Sequence, residues 1–467
     1  MPTRRQALAL LLSPIGQRQE SRNDGRRPAQ RIIIAGGGLA GLCAAYELGR
    51  LGHDAIVLEA QMRPGGRVRT LRDSFAQGVS VEAGAARIPN THDLTVHYAR
   101  EMGLTLEPAV PPELHTAYHV RGRRIVMDGK AEDWPLPLTG EERREGLAGL
   151  RKRYIEAALQ KVRERGFARD ELAAFRDWDR PTVGAWLRSE GASEGAVELM
   201  TLGMGPEIGS AAWYLMYSMN LAGVRESFHI QGGNEQLPRA LAARVNVRYG
   251  CAVTAIEQTE AGVKVIARRG NGIEVFEAAR AVCALPCPVI GPALDGARLT
   301  GAKMAAIRSQ RYSRSVKVFL QTRTRFWRAQ GLNGSVNTDL PIERLMAGTG
   351  ETGTERGTLA AFPIGAYAAE LESMDDAERV RTALEQARRI FPEMGREFEG
   401  GVSKCWGLDP WQRGAFAIHG PGEIGNIATL ARPEGRIHFA GEHTSRWTGW
   451  MQAALESAQR VVREINA

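Results

Sequence analysis

Arg31-Ile-Ile-Ile-Ala-Gly36-Gly-Gly38-Leu-Ala-Gly41-Leu-Cys-Ala-Ala-Tyr-Glu-Leu-Gly-Arg-Leu-Gly-His-Asp-Ala-Ile-Val-Leu-Glu59 reads, in one run, as a buried strand, a glycine turn, a helix, a second strand and a terminal acid. Each glycine has its own task. Gly36 makes the tight turn after the strand Ile32 to Ala35, Gly38 lets backbone N–H groups approach a pyrophosphate, and Gly41 lets the following helix pack closely on the sheet. Glu59, 18 residues past Gly41, falls at the end of the second strand, where a carboxylate accepts hydrogen bonds from ribose hydroxyls. Leu39, Ala40 and Ala60 flank these positions and share the expected contact. The alternative is a purely structural glycine turn. A lone GxGxxG would leave that open, but strand, helix and acid in sequence favour a dinucleotide cradle.

The chain contains its own control. Gly420-Pro-Gly-Glu-Ile-Gly425 also matches GxGxxG, yet it precedes Asn-Ile-Ala-Thr-Leu-Ala-Arg-Pro, which has no helical apolar face and soon meets a proline. It is expected to be a loop.

With 467 residues, 43% hydrophobic and 24% charged, the chain is long enough for two or three domains around a sizeable core. The net charge of +8 is mostly local, since residues 1–31 hold seven Arg and two acids, or +5, leaving +3 for the rest. Nucleic-acid binding is therefore not expected. Cys43, Cys251, Cys283, Cys287 and Cys405 form an odd set without CxxC, which argues against disulfides and against a zinc or other metal site. No run reaches about 18 apolar residues, so neither a membrane span nor a membrane partner is expected. Thr3-Arg-Arg-Gln-Ala-Leu-Ala-Leu-Leu-Leu-Ser13 resembles a twin-arginine export signal, although its apolar part is short and no Ala-x-Ala site follows. A frayed basic helix ahead of a polar linker, Gln17 to Gln30, is the other reading. Location stands open between cytoplasm and export.

Arg63-Pro-Gly-Gly-Arg67-Val-Arg-Thr70 and Val81-Glu-Ala-Gly84-Ala-Ala-Arg87-Ile-Pro89 read as backbone-rich loops near the cofactor. From about Trp134 to Asn220 long helices are expected, with Leu147, Leu150, Tyr154, Ala157 and Leu159 as an apolar stripe opposite Arg and Glu. Residues 228–300 return to a sheet vocabulary that could extend the dinucleotide sheet, and 312–405 add a second sheet. Arg436-Ile-His-Phe-Ala-Gly-Glu442-His-Thr and a helix from about Trp450 close the chain. With strand-like pieces of the cofactor fold at both ends, the cofactor domain is expected to be discontinuous.

Over roughly residues 30–467 these separated motifs resemble the flavin-containing amine oxidases, especially the L-amino-acid oxidases. The resemblance implies an α/β fold with a discontinuous Rossmann-like FAD-binding domain (30–89, 230–300 and 425–467). A β-sheet substrate domain (90–134 and 301–424) and a helical domain (135–229) would complete it, after a basic tail (1–29). It implies FAD, with the glycine turn and Glu59 on the ADP half, Arg67 near the phosphates, Gly84, Ala85, Ala86 and Arg87 along the flavin, and Val253 on the adenine side. Phe439-Ala-Gly-Glu442-His-Thr resembles the family's second FAD motif, which puts Glu442 on ribityl or phosphate contacts and Gly449, Trp450 and Met451 beside the isoalloxazine. Ala415 stands where monoamine oxidases carry the cysteine joined to flavin, so the cofactor is expected to be non-covalent. The first fingerprint alone would equally suit NAD.

Lys317 in Ser-Val-Lys-Val-Phe-Leu matches the family's lysine that holds a water against flavin N5, whereas composition alone would make it an outward strand lysine. Arg87 matches the arginine that clamps a substrate α-carboxylate, a task for a bidentate guanidinium; a structural ion pair or a flavin contact is the alternative. By the same resemblance Phe416, Gly449 and Trp450 would line the substrate path, the aromatic pair as its walls, and Trp411 would pack near the flavin loop. The family's second carboxylate ligand is a tyrosine, and Phe362 aligns there; a phenyl ring cannot donate, so Tyr367 or Arg87 alone would have to serve. No helical-region residue matches the family's active-site histidine, and His229 is a candidate by proximity only.

The expected activity is FAD-dependent oxidative deamination of L-amino acids, with large apolar or aromatic side chains, to 2-oxo acids, ammonia and hydrogen peroxide. Hydride would pass from Cα to flavin N5, and no protein base is strictly needed if the amine arrives neutral. An amine or polyamine oxidase and an amino-acid 2-monooxygenase remain rivals within the fold. A flavin-binding association module is the rival from another class, and a disulfide reductase is disfavoured by the missing cysteine pair. The implied partners are the small amino acid and oxygen, a homodimer is left open, and the protein is expected to be soluble.

Overall fold

The computed structural model describes residues 28–467 except 77, 110, 112, 131, 166–171, 206 and 352. The twin-arginine reading of Thr3 to Ser13 and nearly all of the polar linker lie outside the described residues.

The opening motif folds as β1 (Arg31–Ala35), α1 (Leu39–Arg50) and β2 (Asp54–Glu59). These two strands belong to a five-stranded sheet in the order Asn246–Tyr249, β2, β1, Arg280–Cys283, Ile437–Phe439, with every ladder parallel. A parallel sheet is covered on both faces, which explains the unbroken Ile32-Ile33-Ile34 run. Ile32 and Ile34 pack with Leu42 and Leu48 of α1 and with Leu455, Val461 and Ile465 of the last helix, Met451–Asn466. Ile33 and Ala35 point the other way, into a cluster with Leu58, Ile256 and Val265. The cofactor fold is thus assembled from both ends of the chain.

The expectation that residues 228–300 extend this sheet needs correction. Only Asn246–Tyr249 and Arg280–Cys283 join it, while Cys251–Gln258, Val263–Arg269 and Gly272–Ala278 form a separate antiparallel sheet against one face. Their connections are too short for the crossover that parallel pairing needs. The last two strands turn through Gly270 and Asn271, with Gly270 at φ +57, a hairpin signal.

The second sheet has seven strands, ordered Phe398–Cys405, Val316–Thr322, Gly357–Ala361, Arg344–Ala347, Leu332–Thr338, His115–Val120, Arg123–Val126. Val316–Thr322 is paired on both edges and buried throughout. In the helical region Leu147, Leu150, Tyr154 and Leu159 are buried as read, but Ala157 is exposed and Ile155 and Ala158 take its place inside. The cause is a π-helical turn at Arg151–Glu156, whose extra residue rotates the apolar face relative to a 3.6-residue repeat. Gly420 to Gly425 forms turns as expected, but the following Asn426–Ala431 is a short helix that buries Ile427 and Leu430. Two apolar residues three apart suffice for one turn packed on a core, a pattern too short to read as a stripe.

All five cysteines are buried and unpaired. Among the described residues no helix is long and apolar enough to cross a membrane, and no cluster of His, Cys, Asp and Glu could hold a metal.

Candidate active site

The glycine turn supplies one end of the site. Gly36 has φ +104, a conformation natural to glycine, and its N–H donates to the Leu58 carbonyl at 2.9 Å. A Cβ on Gly41 would overlap the Gly36 carbonyl, so helix and turn touch through bare backbone. A Cβ on Gly38 would meet nothing within 4 Å. Gly38 is also the N-cap of α1, with no side chain capping the helix and no acid in its first turn. Open space at an uncapped helix N-terminus that begins with Leu39 and Ala40 fits an anionic pyrophosphate. Glu59 lies buried across the turn and accepts from the Gly37 N–H and the Gln61 N–H, both at 2.7 Å, beside Ala60. Burial raises its pKa against the pull of those two amides. Val253 sits half-buried at a bulge in the antiparallel sheet, in the cluster that holds Leu58.

A second group forms where the 63–70 and 81–89 loops meet the C-terminal motif. Arg67 Nη1 donates to Glu442 Oε1 at 2.7 Å and to the Ala415 carbonyl at 3.0 Å. Glu442 also accepts from the Ala417 and Gly449 N–H groups, at 3.1 and 3.0 Å. The two residues read as cofactor contacts therefore hold each other. At Gly84 the chain crosses the Arg67 carbonyl so closely that a Cβ would overlap it, and the Ala85 N–H donates to that carbonyl at 3.2 Å. The Ala85 carbonyl accepts from Asn234 Nδ2, and Ala86 continues the half-buried loop to Arg87.

Lys317 points inward from its strand and is 5% exposed. Nζ donates to the Glu82 carbonyl at 2.9 Å and the Gly84 carbonyl at 2.7 Å, leaving the third N–H of an ammonium free for a water or ligand. Burial lowers its pKa to about 8, opposed by the nearby Glu82 carboxyl and reinforced by Arg87 and Arg344. Burial likewise raises Glu82 to about 7, although the Asn234 amide and the Thr70 hydroxyl bond to it.

Arg87 is partly buried, and its Nη2 donates to Ser335 Oγ at 3.1 Å. It has no carboxylate within ion-pair distance among the described residues. Burial lowers its pKa, with Tyr217 opposing and Arg344 reinforcing that effect. Trp450 stacks on Tyr217 with ring centroids 6.0 Å apart, Tyr217 stacks on Trp213 at 6.1 Å, and His92 meets Trp450 edge-on at 4.8 Å. Phe416 faces Gly449, where a Cβ would lie 3.6 Å from its ring, and Met451 starts the last helix. Phe362 lies between two cations, with Lys317 Nζ 5.1 Å and the Arg344 guanidinium 5.3 Å from its ring centroid.

Some candidates fall outside this group. Tyr367 is on the helix Gly365–Glu372 and 41% exposed, because Ala368 and Leu371 take that helix's inner face. His229 pairs with Glu107 on a neighbouring strand, Nε2 to Oε2 3.3 Å, and has a structural partner of its own. Trp406, which the motif reading passed over, donates Nε1 to the Ala83 carbonyl at 2.8 Å and anchors the 83–87 loop. Tyr217, Ser335 and Arg344 were also passed over, since each lies in an ordinary helix or strand pattern and reaches the site only through the fold.

The model of the family described as flavin-containing amine oxidoreductase matches residues 39–466. The chain is 31% identical over 476 residues to the flavin-dependent L-tryptophan oxidase RebO of Lentzea aerocolonigenes, covering 94% of this chain and 99% of that protein. It is 29% identical over 457 residues to an L-amino-acid oxidase of Siganus canaliculatus, covering 94% and 85% of the two chains. A putrescine oxidase double mutant with redesigned cofactor binding superimposes with a TM-score of 0.81 at 23% identity, covering 94% of this chain and 99% of that one. With open space at the N-terminus of α1, a terminal acid on β2 and a family model that matches residues 39–466, this chain is an FAD-dependent enzyme that belongs to the flavin-containing amine oxidoreductase family.

Proposed function

We propose that this protein oxidises L-amino acids, with large apolar or aromatic side chains, to 2-oxo acids with release of ammonia and hydrogen peroxide. The observation that carries the reading is Arg87: a partly buried guanidinium beside Lys317 that, among the described residues, has one serine hydroxyl as hydrogen-bond partner and no carboxylate within ion-pair distance. A buried cation without a counter-charge is costly, and a substrate carboxylate would complete it. The names of the tryptophan oxidase and L-amino-acid oxidase relatives support the same reading.

Gly38 at the N-terminus of α1 and Glu59 at the end of β2 would hold FAD, which when bound would supply the two-electron acceptor that oxygen reoxidises. Arg87 holds the carboxylate and thereby orients the Cα–H. Trp450, Tyr217 and Phe416 wall the path and exclude water from the amine. Lys317, with two N–H groups on backbone carbonyls, fixes a water with the third. Hydrolysis of the released imino acid needs no protein group.

The amine-oxidase alternative draws on Phe362, which brings no second carboxylate donor. Anaerobic bleaching of flavin absorbance by L-phenylalanine, D-phenylalanine and phenethylamine separates the two. The L-amino acid alone should bleach the wild type, and Arg87→Ala should weaken that reaction by about 10- to 100-fold, the cost of a lost charged hydrogen bond. Faster bleaching by phenethylamine makes the protein an amine oxidase instead.

A further inference from the structure

We propose that Arg344 is a second guanidinium that binds a carboxylate of the substrate, working beside Arg87. The inference rests on the amino-acid reading above. Arg344 opens the strand Arg344–Ala347, and its carbonyl accepts the Phe362 N–H at 3.1 Å, so the two residues are locked together through the backbone. Its side chain folds over the Phe362 ring, which Lys317 approaches at 5.1 Å. One Nη donates to the Gly203 carbonyl of the helical region, which fixes the guanidinium plane. Nε is buried and has no hydrogen-bond partner among the described residues.

The charges do not cancel. The charge of Arg344 lowers the pKa of both Arg87 and Lys317, and that of Arg87 lowers Lys317 further. Glu343, preceding it in sequence, gives a carboxylate oxygen to the Ile364 N–H at 2.9 Å and feels the Arg344 charge, which lowers its pKa, without coming within ion-pair distance among the described residues. An unfilled, buried N–H on a fixed guanidinium beside a second unpaired guanidinium calls for an anion with two oxygens. A carboxylate supplies that whether it is the α-carboxylate or the side-chain carboxylate of an acidic amino acid. Arg344 would then provide the donor that the Phe362 ring lacks.

The test is Arg344→Met in the FAD-loaded enzyme, with anaerobic flavin reduction by L-phenylalanine, L-glutamate and phenethylamine, and a benzoate titration read by perturbation of the flavin spectrum. Reaction with both amino acids should fall about 10- to 100-fold from the wild-type rates, with benzoate weakened to match and any residual reaction with phenethylamine unchanged; this assigns the α-carboxylate. A loss confined to L-glutamate assigns the side-chain carboxylate. Adding Phe362→Tyr should restore part of an α-carboxylate loss, which a merely structural Arg344 would not permit. Unchanged ratios, or an equal fall for all three substrates and benzoate, overturn the proposal. If no L-amino acid reduces the wild type, the amino-acid reading fails, and benzoate affinity still decides whether Arg344 binds a carboxylate.

Discussion

Lys317 shows what one buried charge costs and where that cost appears. Burial brings its pKa from an ordinary 10.5 to about 8, so between those values the unfolded chain holds a proton that the folded chain has released. Folding stability from this group therefore rises with pH across that window, by roughly 3 kcal/mol in total. Replacing it as Lys317→Met removes the slope. Urea unfolding of the two proteins at pH 7 and near pH 10.5 should show the wild type gaining about that much on the variant, and parallel pH responses would mean the lysine keeps an ordinary pKa. The inward lysine, Arg87 and Phe362 were all singled out from sequence by motif context. Arg344 and Tyr217 were not, because a strand arginine and a helical tyrosine look alike whether they face a cavity or a core.

At the scale of the element, the glycine turn makes a sharper claim than its motif. Gly38 and Gly41 both match GxGxxG, yet they do different work: one faces open space, the other touches the Gly36 carbonyl. Gly38→Ala should leave the apoprotein's melting temperature nearly unchanged, since Gly38 has ordinary extended dihedrals, while weakening FAD at least tenfold by placing a methyl in the cradle. Gly41→Ala should lower both, by a few kcal/mol in stability, because backbone must move. Flavin fluorescence titration and a melt of each apoprotein check the pair; equal behaviour would show that the cradle is not at Gly38. The helical region is the converse case, where periodicity found the stripe but one π turn moved a residue out of it. Such an insertion leaves no local composition signal.

Across the whole molecule, the cofactor fold is closed by distant chain segments. Arg67 and Glu442, 375 residues apart, form a largely buried pair, and Ile437–Phe439 and the last helix complete the sheet and its cover. Arg67→Met should destabilise the protein by about 3–5 kcal/mol, since it strands the Glu442 carboxylate, and adding Glu442→Gln should recover part of the loss. Thermal unfolding of the two variants would sink the idea if their losses simply added. By itself the sequence determined the βαβ cofactor unit, because it resides in a contiguous apolar pattern and fixed glycine spacing, while the resemblance of its separated motifs to a known family pointed to the discontinuous α/β fold and to Lys317 and Arg87 as candidates. Only the tertiary structure decided that residues 251–278 leave the main sheet, that Tyr367 is partly exposed, and that Arg344, Tyr217 and Trp406 meet Phe362, Trp450 and Ala83. Loop length, helix phase and the meeting of strands far apart in sequence set those outcomes, and they exist only once the chain has closed on itself.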